Sequence, residues 1–137
     1  MKKLILFCVI ALLTGCKEKN SVTPADDIVG KWRLVSYCRP SGGLATGCEA
    51  IKVPSNKGVY VEFSSKGTFN ETYQNTIAAD YAFLGCGGGS YTIEDKNVRI
   101  KALCMSSLNG VLVEINSVSS KKLVLTYAIT GEYVFER

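Results

Sequence analysis

Histidine is missing from the 137-residue chain, and the sequence also lacks any block of basic residues. Histidine is the usual general base near neutral pH and the commonest metal ligand in proteins. Its absence leaves acid–base chemistry to carboxylates, lysine and tyrosine, and no second carboxylate lies at a helpful spacing. Without a basic stripe interleaved with aromatics, the chain offers no electropositive surface for nucleic acid to bind. We therefore expect no enzyme, no metal or other cofactor, and no nucleic-acid partner.

A long hydrophobic run is also lacking, because the apolar stretch from Leu4 to Leu13 is shorter than the ~20 residues that a membrane-spanning helix needs. The stretch follows Met1-Lys2-Lys3 and leads into Leu13-Thr14-Gly15-Cys16. A basic start, an apolar core and small residues at a cleavage point are typical of a secretory signal. The alternatives are an ordinary signal with an incidental Cys16, or a cytosolic protein with a chance apolar N-terminus.

The same segment resembles a bacterial lipoprotein signal that ends in its lipobox. The resemblance implies that residues 1–15 are removed, that the Cys16 thiol receives a diacylglyceryl group, and that its new amine is acylated. Several acyl chains on one residue satisfy the two-signal requirement for stable anchoring. We therefore expect Cys16 to anchor the protein to a membrane of the bacterial cell envelope, outside the cytoplasm, with inner or outer membrane left open.

The residues after Cys16 are polar as far as Asp27 and include Pro24, which is typical of a flexible tether. The lipidated cysteine and tether then cover residues 16–27, and residues 28–137 have the size of one domain. Removing Lys2 and Lys3 from the 16 basic residues leaves 14 against 12 acidic ones, so the exported chain is close to neutral.

Four cysteines follow the tether, and an even number in an exported chain usually means disulfides because that compartment is oxidising. The competing interpretation, a zinc site, is disfavoured because the chain has no Cys-x-x-Cys pair and no histidine. The four are Cys38, Cys48, Cys86 and Cys104.

No convincing helix-period run occurs beyond Ile28; instead, short segments alternate apolar with polar residues and are rich in Val, Ile, Thr, Tyr and Phe. This pattern predicts an antiparallel sheet with one buried face. Eight strands are predicted: Lys31–Cys38, Val59–Ser64, Thr68–Tyr73, Ser90–Glu94, Val98–Leu103, Val111–Ser117, Leu123–Ala128 and Glu132–Glu136.

The predicted connections alternate between tight turns and longer loops, the latter being Arg39–Gly58, Gln74–Gly89 and Met105–Gly110. In an up-and-down meander this places all the long loops at one end. An eight-stranded meander leaves its first and last strands unpaired at the edges unless it closes into a barrel, so we predict a barrel. A two-sheet sandwich is the alternative. All four cysteines fall at the long-loop end, where strand pairing favours Cys86 with Cys104, and hence Cys38 with Cys48, over the other pairings.

Gly30-Lys31-Trp32, at the start of the first predicted strand, resembles the Gly-x-Trp signature of the lipocalins and of lipocalin-like domains in bacterial lipoproteins. Further similarities are the hairpin Val61–Phe69 and the strand Gly89–Ile93. The resemblance covers Ile28 to Arg137 and implies an eight-stranded barrel. It also implies that the tryptophan plugs the closed end and that an arginine from the last strand, here Arg137, packs across it.

Glu71 lies between Phe69 and Tyr73 at a spacing of two, so it points into the barrel if those aromatics do. It could then bind a polar ligand head group, whereas a slipped register or a position near the mouth would leave it solvated. The following loop contains Tyr81, Phe83 and Leu84, which is more apolar than solvent requires. It is expected either to form a short helix or flap over the open end, as a lid or contact surface, or only to seal the core.

Two functions remain open. The first is a lipid-anchored barrel that binds a small apolar ligand, with Glu71, Tyr73, Tyr81, Phe83 and Leu84 as candidate ligand-binding residues. The second is a protein-binding module, such as a hydrolase inhibitor or an envelope-assembly partner, acting through the disulfide-stapled loops. The many inward aromatics count against the first if they fill the barrel.

Overall fold

The structure is a computed structural model that describes residues 27–40, 48–128 and 130–137. The predicted signal peptide (residues 1–15), the predicted lipidation site Cys16 and the predicted tether as far as residue 26 lie outside these residues. No helix in the described ranges is long and apolar enough to cross a membrane. The strands found there are β1 (Gly30–Pro40), β2 (Cys48–Lys52), β3 (Gly58–Phe63), β4 (Thr68–Gln74), β5 (Gly88–Glu94), β6 (Asn97–Ala102), β7 (Val111–Val118), β8 (Lys122–Tyr127) and β9 (Gly131–Glu136).

Eight of these strands form a closed antiparallel barrel. Neighbours in the chain pair from β3 through β9, and β1 pairs with both β3 and β9, which joins the two edges of the sheet. These eight strands match the eight predicted from alternation, with boundaries differing by at most two residues. The predicted barrel is therefore confirmed, and its closure excludes the two-sheet sandwich.

The remaining strand, β2, corrects the sequence prediction, which assigned all of Arg39–Gly58 to a loop. It pairs antiparallel with the C-terminal half of β1, from Ser36 opposite Lys52 to Pro40 opposite Cys48. Four of its five residues are exposed, so it carries no buried apolar face. β2 forms because β1 extends beyond the part that pairs with β3 and offers it a free edge. Alternation of hydrophobicity cannot reveal a strand of this kind.

The interior of the barrel is filled by side chains. The fully buried residues include the largest aromatics of the chain, and aromatic rings contact one another across the core at centroid distances of 5.0–6.4 Å. An eight-stranded barrel is just wide enough for this filling. The largest of these buried side chains are Trp32, Phe63, Phe69, Tyr133 and Phe135.

A bulge in β1 turns an additional aromatic ring inward. The register between β1 and β9 shifts between Leu34 and Ser36, so the buried positions change from Trp32 and Leu34 to Tyr37. Tyr37 then stacks on Tyr133, with 5.7 Å between ring centroids. A bulge adds one residue to one strand and reverses the inward–outward alternation beyond it.

The closed end of the barrel, where the tight turns lie, is organised around Trp32. Its indole Nε1 donates to the Ile28 carbonyl at 2.7 Å, and the Arg137 guanidinium lies over its ring at 3.9 Å from the centroid. Arg137 also donates to the carbonyls of Asp27 and Val29. Gly30 has φ +132°, and a Cβ there would lie 2.9 Å from the guanidinium, so the close approach of Arg137 requires glycine.

Candidate functional site

The opposite end of the barrel, which we call the mouth, carries the longer connections and both disulfides. Cys38 pairs with Cys48 across β1 and β2, with the Cα atoms 5.4 Å apart. Cys86 pairs with Cys104 at 5.6 Å and ties the β4–β5 connection to the chain that follows β6. These two disulfides are the pairing that the sequence favoured, and they cross-link the mouth at two places.

Residues 75–87, between β4 and β5, form a segment that plugs the mouth; we call it the plug segment. It consists of turns rather than the short helix that the sequence allowed. Phe83 is 3% exposed and inserts its ring among Tyr133 and Phe135, at centroid distances of 5.0 and 5.5 Å. Phe69 lies at 6.4 Å on another side. The plug segment therefore completes the core, as the second interpretation of this loop predicted.

Glu71 on β4 holds the plug segment in place. Its side chain is 3% exposed and is the only buried charged residue among those that the structure describes. One carboxylate oxygen accepts from the Phe83 amide at 2.8 Å, and the other accepts from the Leu84 and Gly85 amides at 3.0 and 3.1 Å. The interpretation that leaves Glu71 solvated is therefore wrong, because β4 keeps its register and the carboxylate points into the barrel.

Tyr73 supplies the fourth hydrogen bond, since its hydroxyl donates to Glu71 Oε1 at 2.8 Å. Burial, together with the neighbouring carboxylate, raises the pKa of the Tyr73 phenol far above its usual value. Four donors match the acceptor capacity of a carboxylate, which is about four lone-pair sites. Glu71 therefore has no acceptor position left for a ligand while the plug segment is in place.

A cleft of about 300 Å³ remains open at the mouth, between the plug segment and the chain that joins β6 to β7. The Cys86–Cys104 disulfide forms one wall. This volume is at the lower end of the range for small-molecule sites, which are typically ~300–1,000 Å³ and mostly apolar. The cleft is lined by Phe83, Leu84, Cys86, Cys104, Met105, Ser106, Ser107, Val111, Tyr127 and Thr130.

Four of the five predicted ligand-binding residues take one of two roles in the structure. Leu84 and Phe83 line the cleft, whereas Glu71 and Tyr73 hold the plug segment from beneath it. Tyr81 is partly buried against the core and does not line the cleft. The sequence did not predict Met105, Tyr127 or Thr130 as lining residues, because they come from the β6–β7 connection, the end of β8 and the β8–β9 connection, which only the closed barrel brings together.

The cleft offers apolar surface and little reactive chemistry. Within the described ranges, no three His, Cys, Asp or Glu side chains gather as a metal site. The lining of the cleft suits contact with an apolar group.

Comparison with known proteins places the fold. A family model for the lipocalin-like domain matches residues 28–125. An uncharacterized protein from Bacteroides eggerthii is similar in structure, with a TM-score of 0.55 and 22% identity over 81% of this chain and 99% of that one. A lipocalin-like protein from Bacteroides uniformis has a TM-score of 0.54 and 20% identity over 81% of this chain and 98% of its own.

No curated protein matches the sequence significantly. The two solved structures share the fold at low identity, and the family model covers most of the described barrel, including the Gly30–Trp32 signature. The chain therefore belongs to the lipocalin-like domain family.

Proposed function

We propose that the protein is a non-enzymatic, membrane-anchored lipoprotein of the bacterial cell envelope that binds a small apolar ligand in the mouth cleft. The main support for this proposal is the partly apolar cleft at the mouth. The barrel interior is filled, so an apolar ligand that binds at the mouth lies in this cleft, against Phe83, Leu84 and Val111. Membership of the lipocalin-like family supports a ligand-binding role in general.

The position of the N-terminus supports a particular orientation on the membrane. β1 starts at the closed end, and Arg137 binds the carbonyls of Asp27 and Val29 there. A tether that runs from a lipidated Cys16 to Asp27 thus joins the barrel at the end opposite the mouth. The proposal therefore has the cleft facing away from the anchoring membrane, so ligand is taken from the aqueous side.

Native mass spectrometry tests the binding proposal. The mature chain with Cys16→Ala is purified from its own host, and we expect a retained small molecule. Ser106→Trp fills the cleft, whereas Ser117→Trp makes the same change at an exposed position on β7. Loss of the bound mass in the first variant, with retention in the second, is the expected result. A bare mass for the unsubstituted domain would contradict the proposal.

The anchoring proposal has its own test. Cells that express the full chain are labelled with an alkyne-bearing fatty acid and then fractionated. We expect label and membrane association for the natural sequence and loss of both for Cys16→Ala. Label that persists in the variant, or a natural chain found in the soluble fraction, would contradict lipidation at Cys16.

A second function, protein binding at the mouth, is favoured by exposed leucines. Leu103 and Leu108 are 92% and 94% exposed, on the connection between β6 and β7 that also borders the cleft. Exposed apolar surface that forms a contiguous patch marks interaction sites, and the two leucines lie on one short connection. The stapled loops Arg39–Gly58 and Gln74–Gly89, which the sequence singled out for this role, lie at the same end.

Cross-linking in the host discriminates the two functions. The matched variants are Leu103→Ser with Leu108→Ser at the mouth, and Leu112→Ser on the outer face of β7, where the side chain is 43% exposed. A specific cross-linked protein that disappears only in the double mouth variant supports protein binding. An unchanged pattern together with a retained small molecule leaves ligand binding as the function.

A further inference from the structure

The Phe83 side chain and amide together have the shape of a bound small molecule. Two carbon atoms, Cβ and Cα, separate its ring from its amide nitrogen, which is the skeleton of 2-phenylethylamine. The ring lies in an aromatic cage of Phe69, Tyr133 and Phe135, and the nitrogen donates to Glu71 at 2.8 Å. The cage and the carboxylate belong to the strands, whereas Phe83 belongs to a connection.

Glu71 carries a buried charge that only neutral donors satisfy. Its partners are three backbone amides and one phenol. The ion pair between Arg99 and Glu94 is the only one within 4 Å in the described part of the chain, so no described lysine or arginine neutralises Glu71. Buried charges in proteins are normally paired with an opposite charge, and a cation at this position would supply the counter-charge that the neutral donors do not.

We propose that the barrel interior is a second ligand site, suited to a 2-arylethylammonium ion and occupied in this structure by the chain's own Phe83. The aryl ring of the ligand takes the cage, and its ammonium group binds Glu71. An ammonium carries three N–H donors, as many as the amides of Phe83, Leu84 and Gly85 that it replaces, while the Tyr73 hydroxyl keeps its bond. This site lies beneath the mouth cleft and does not rest on the function proposed for that cleft.

The plug segment is attached in a way that permits the exchange. Of its residues only Phe83 and Cys86 are buried, and Cys86 is held by the disulfide to Cys104. The chain from Asn75 to Gly85 therefore swings outward without breaking a covalent bond. Leu84 is half-buried and Gly85 is exposed, so water can solvate their amides once the segment has moved.

The first experiment uses the natural core sequence. The mature chain with Cys16→Ala is mixed with saturating 2-phenylethylamine, or with 2-phenylethanol, which has the same ring and linker without the charge. We expect the amine to accelerate amide hydrogen exchange at Phe83, Leu84 and Gly85 and to leave Val98 and Leu125 protected. Unchanged exchange at the three plug amides, or the same acceleration by the alcohol, would overturn the proposal.

The second experiment removes the competing ring. Phe83→Ala empties the cage, so that a ligand has only the three plug amides left to displace from Glu71, and calorimetry compares the two probes. We expect the amine to bind more tightly by about tenfold or more, because hydrogen bonds to a charged group are the strong ones. Adding Glu71→Gln should abolish that preference, while Glu62→Gln, on the outer face of β3, should not. Equal affinity of the Phe83→Ala variant for amine and alcohol would show a merely apolar cavity.

Discussion

The closed end and the mouth of this barrel are held by different chemistry. At the closed end, Trp32 sits on a strand, is 0% exposed and is covered by Arg137. At the mouth, Phe83 sits on a connection and is held by one carboxylate and one neighbouring disulfide. Strand residues move only when the sheet opens, whereas a connection can detach by itself. The closed end is therefore part of the global fold, and the mouth is a locally movable unit.

Truncating one aromatic at each end tests whether the two ends differ in rigidity. Trp32→Ala should lower the free energy of unfolding by about 5 kcal/mol and Phe83→Ala by about 3 kcal/mol, within the range for large buried aromatics. The smaller effect is expected for Phe83 because the plug segment can relax around the gap. Urea denaturation of the mature chain measures both, and Leu103→Ala is the exposed control, expected to change stability by less than about 0.5 kcal/mol. Equal losses would mean that the mouth is as rigid as the closed end.

The two disulfides lie at the same end of the barrel but close loops of different length. Replacing Cys86 and Cys104 by alanine removes a cross-link of sequence separation 18, and replacing Cys38 and Cys48 removes one of separation 10. Chain entropy predicts a loss of about 3 kcal/mol for each, larger by about 0.5 kcal/mol for the longer loop. Thermal unfolding of the two double variants gives these values.

Only the Cys86–Cys104 variant should also speed exchange at the plug amides of Phe83 and Leu84, since that disulfide fixes the end of the plug segment. Faster amide exchange in the plug segment after loss of Cys38–Cys48 would mean that the Cys86–Cys104 disulfide is not what fixes this segment.

Glu71→Gln isolates the carboxylate that holds the plug. A glutamine amide group presents donors where the Leu84 and Gly85 amides also donate, so at least two hydrogen bonds are lost, at a cost of about 2 kcal/mol. The loss should be local, and amide exchange at Phe83, Leu84 and Gly85 should become about 30-fold faster. Glu114→Gln, on the exposed face of β7, is the matched control. A global loss of protection, including β8, would show that the plug and the barrel unfold as one unit.

The eight barrel strands were predictable because each buries one face, which leaves alternation in the sequence. The pairing of Cys86 with Cys104 followed from the register of β5 with β6. β2 was not predictable, because Cys48–Lys52 is almost wholly exposed and exists by pairing with the end of β1. Tyr37 also escaped prediction, since only the bulge near Ser36 turns it inward.

At the site, the sequence placed Glu71 beside aromatics but could not decide its environment. That environment depends on three amides located 12–14 residues further along the chain. Nothing in the residue pattern of the plug segment indicates which of its apolar side chains enters the barrel, because turns have no period. The closure of the barrel, rather than local structural propensity, therefore determines which groups surround Glu71 at the mouth.

The smallest expected effect compares two phenols, Tyr91 near the closed end and Tyr73 at the mouth. Burial raises the pKa of Tyr91, and at Tyr73 the Glu71 carboxylate adds to the effect of burial. Because the folded pKa values exceed the unfolded value of about 10, the unfolded chain loses these protons first, so stability falls as the pH rises above about 10.

At about pH 11 both tyrosines should lower the free energy of unfolding, and Tyr73 should lower it more than Tyr91. Tyr73→Phe should flatten the loss between about pH 9 and pH 11 more than Tyr91→Phe does, because only Tyr73 would place a second negative charge against a carboxylate. Urea denaturation of both variants across that pH range, each compared with its own value at pH 8, measures the difference. The reverse order would mean that the plug segment has already left the mouth at alkaline pH, so that Tyr73 and Glu71 are solvated before the barrel unfolds.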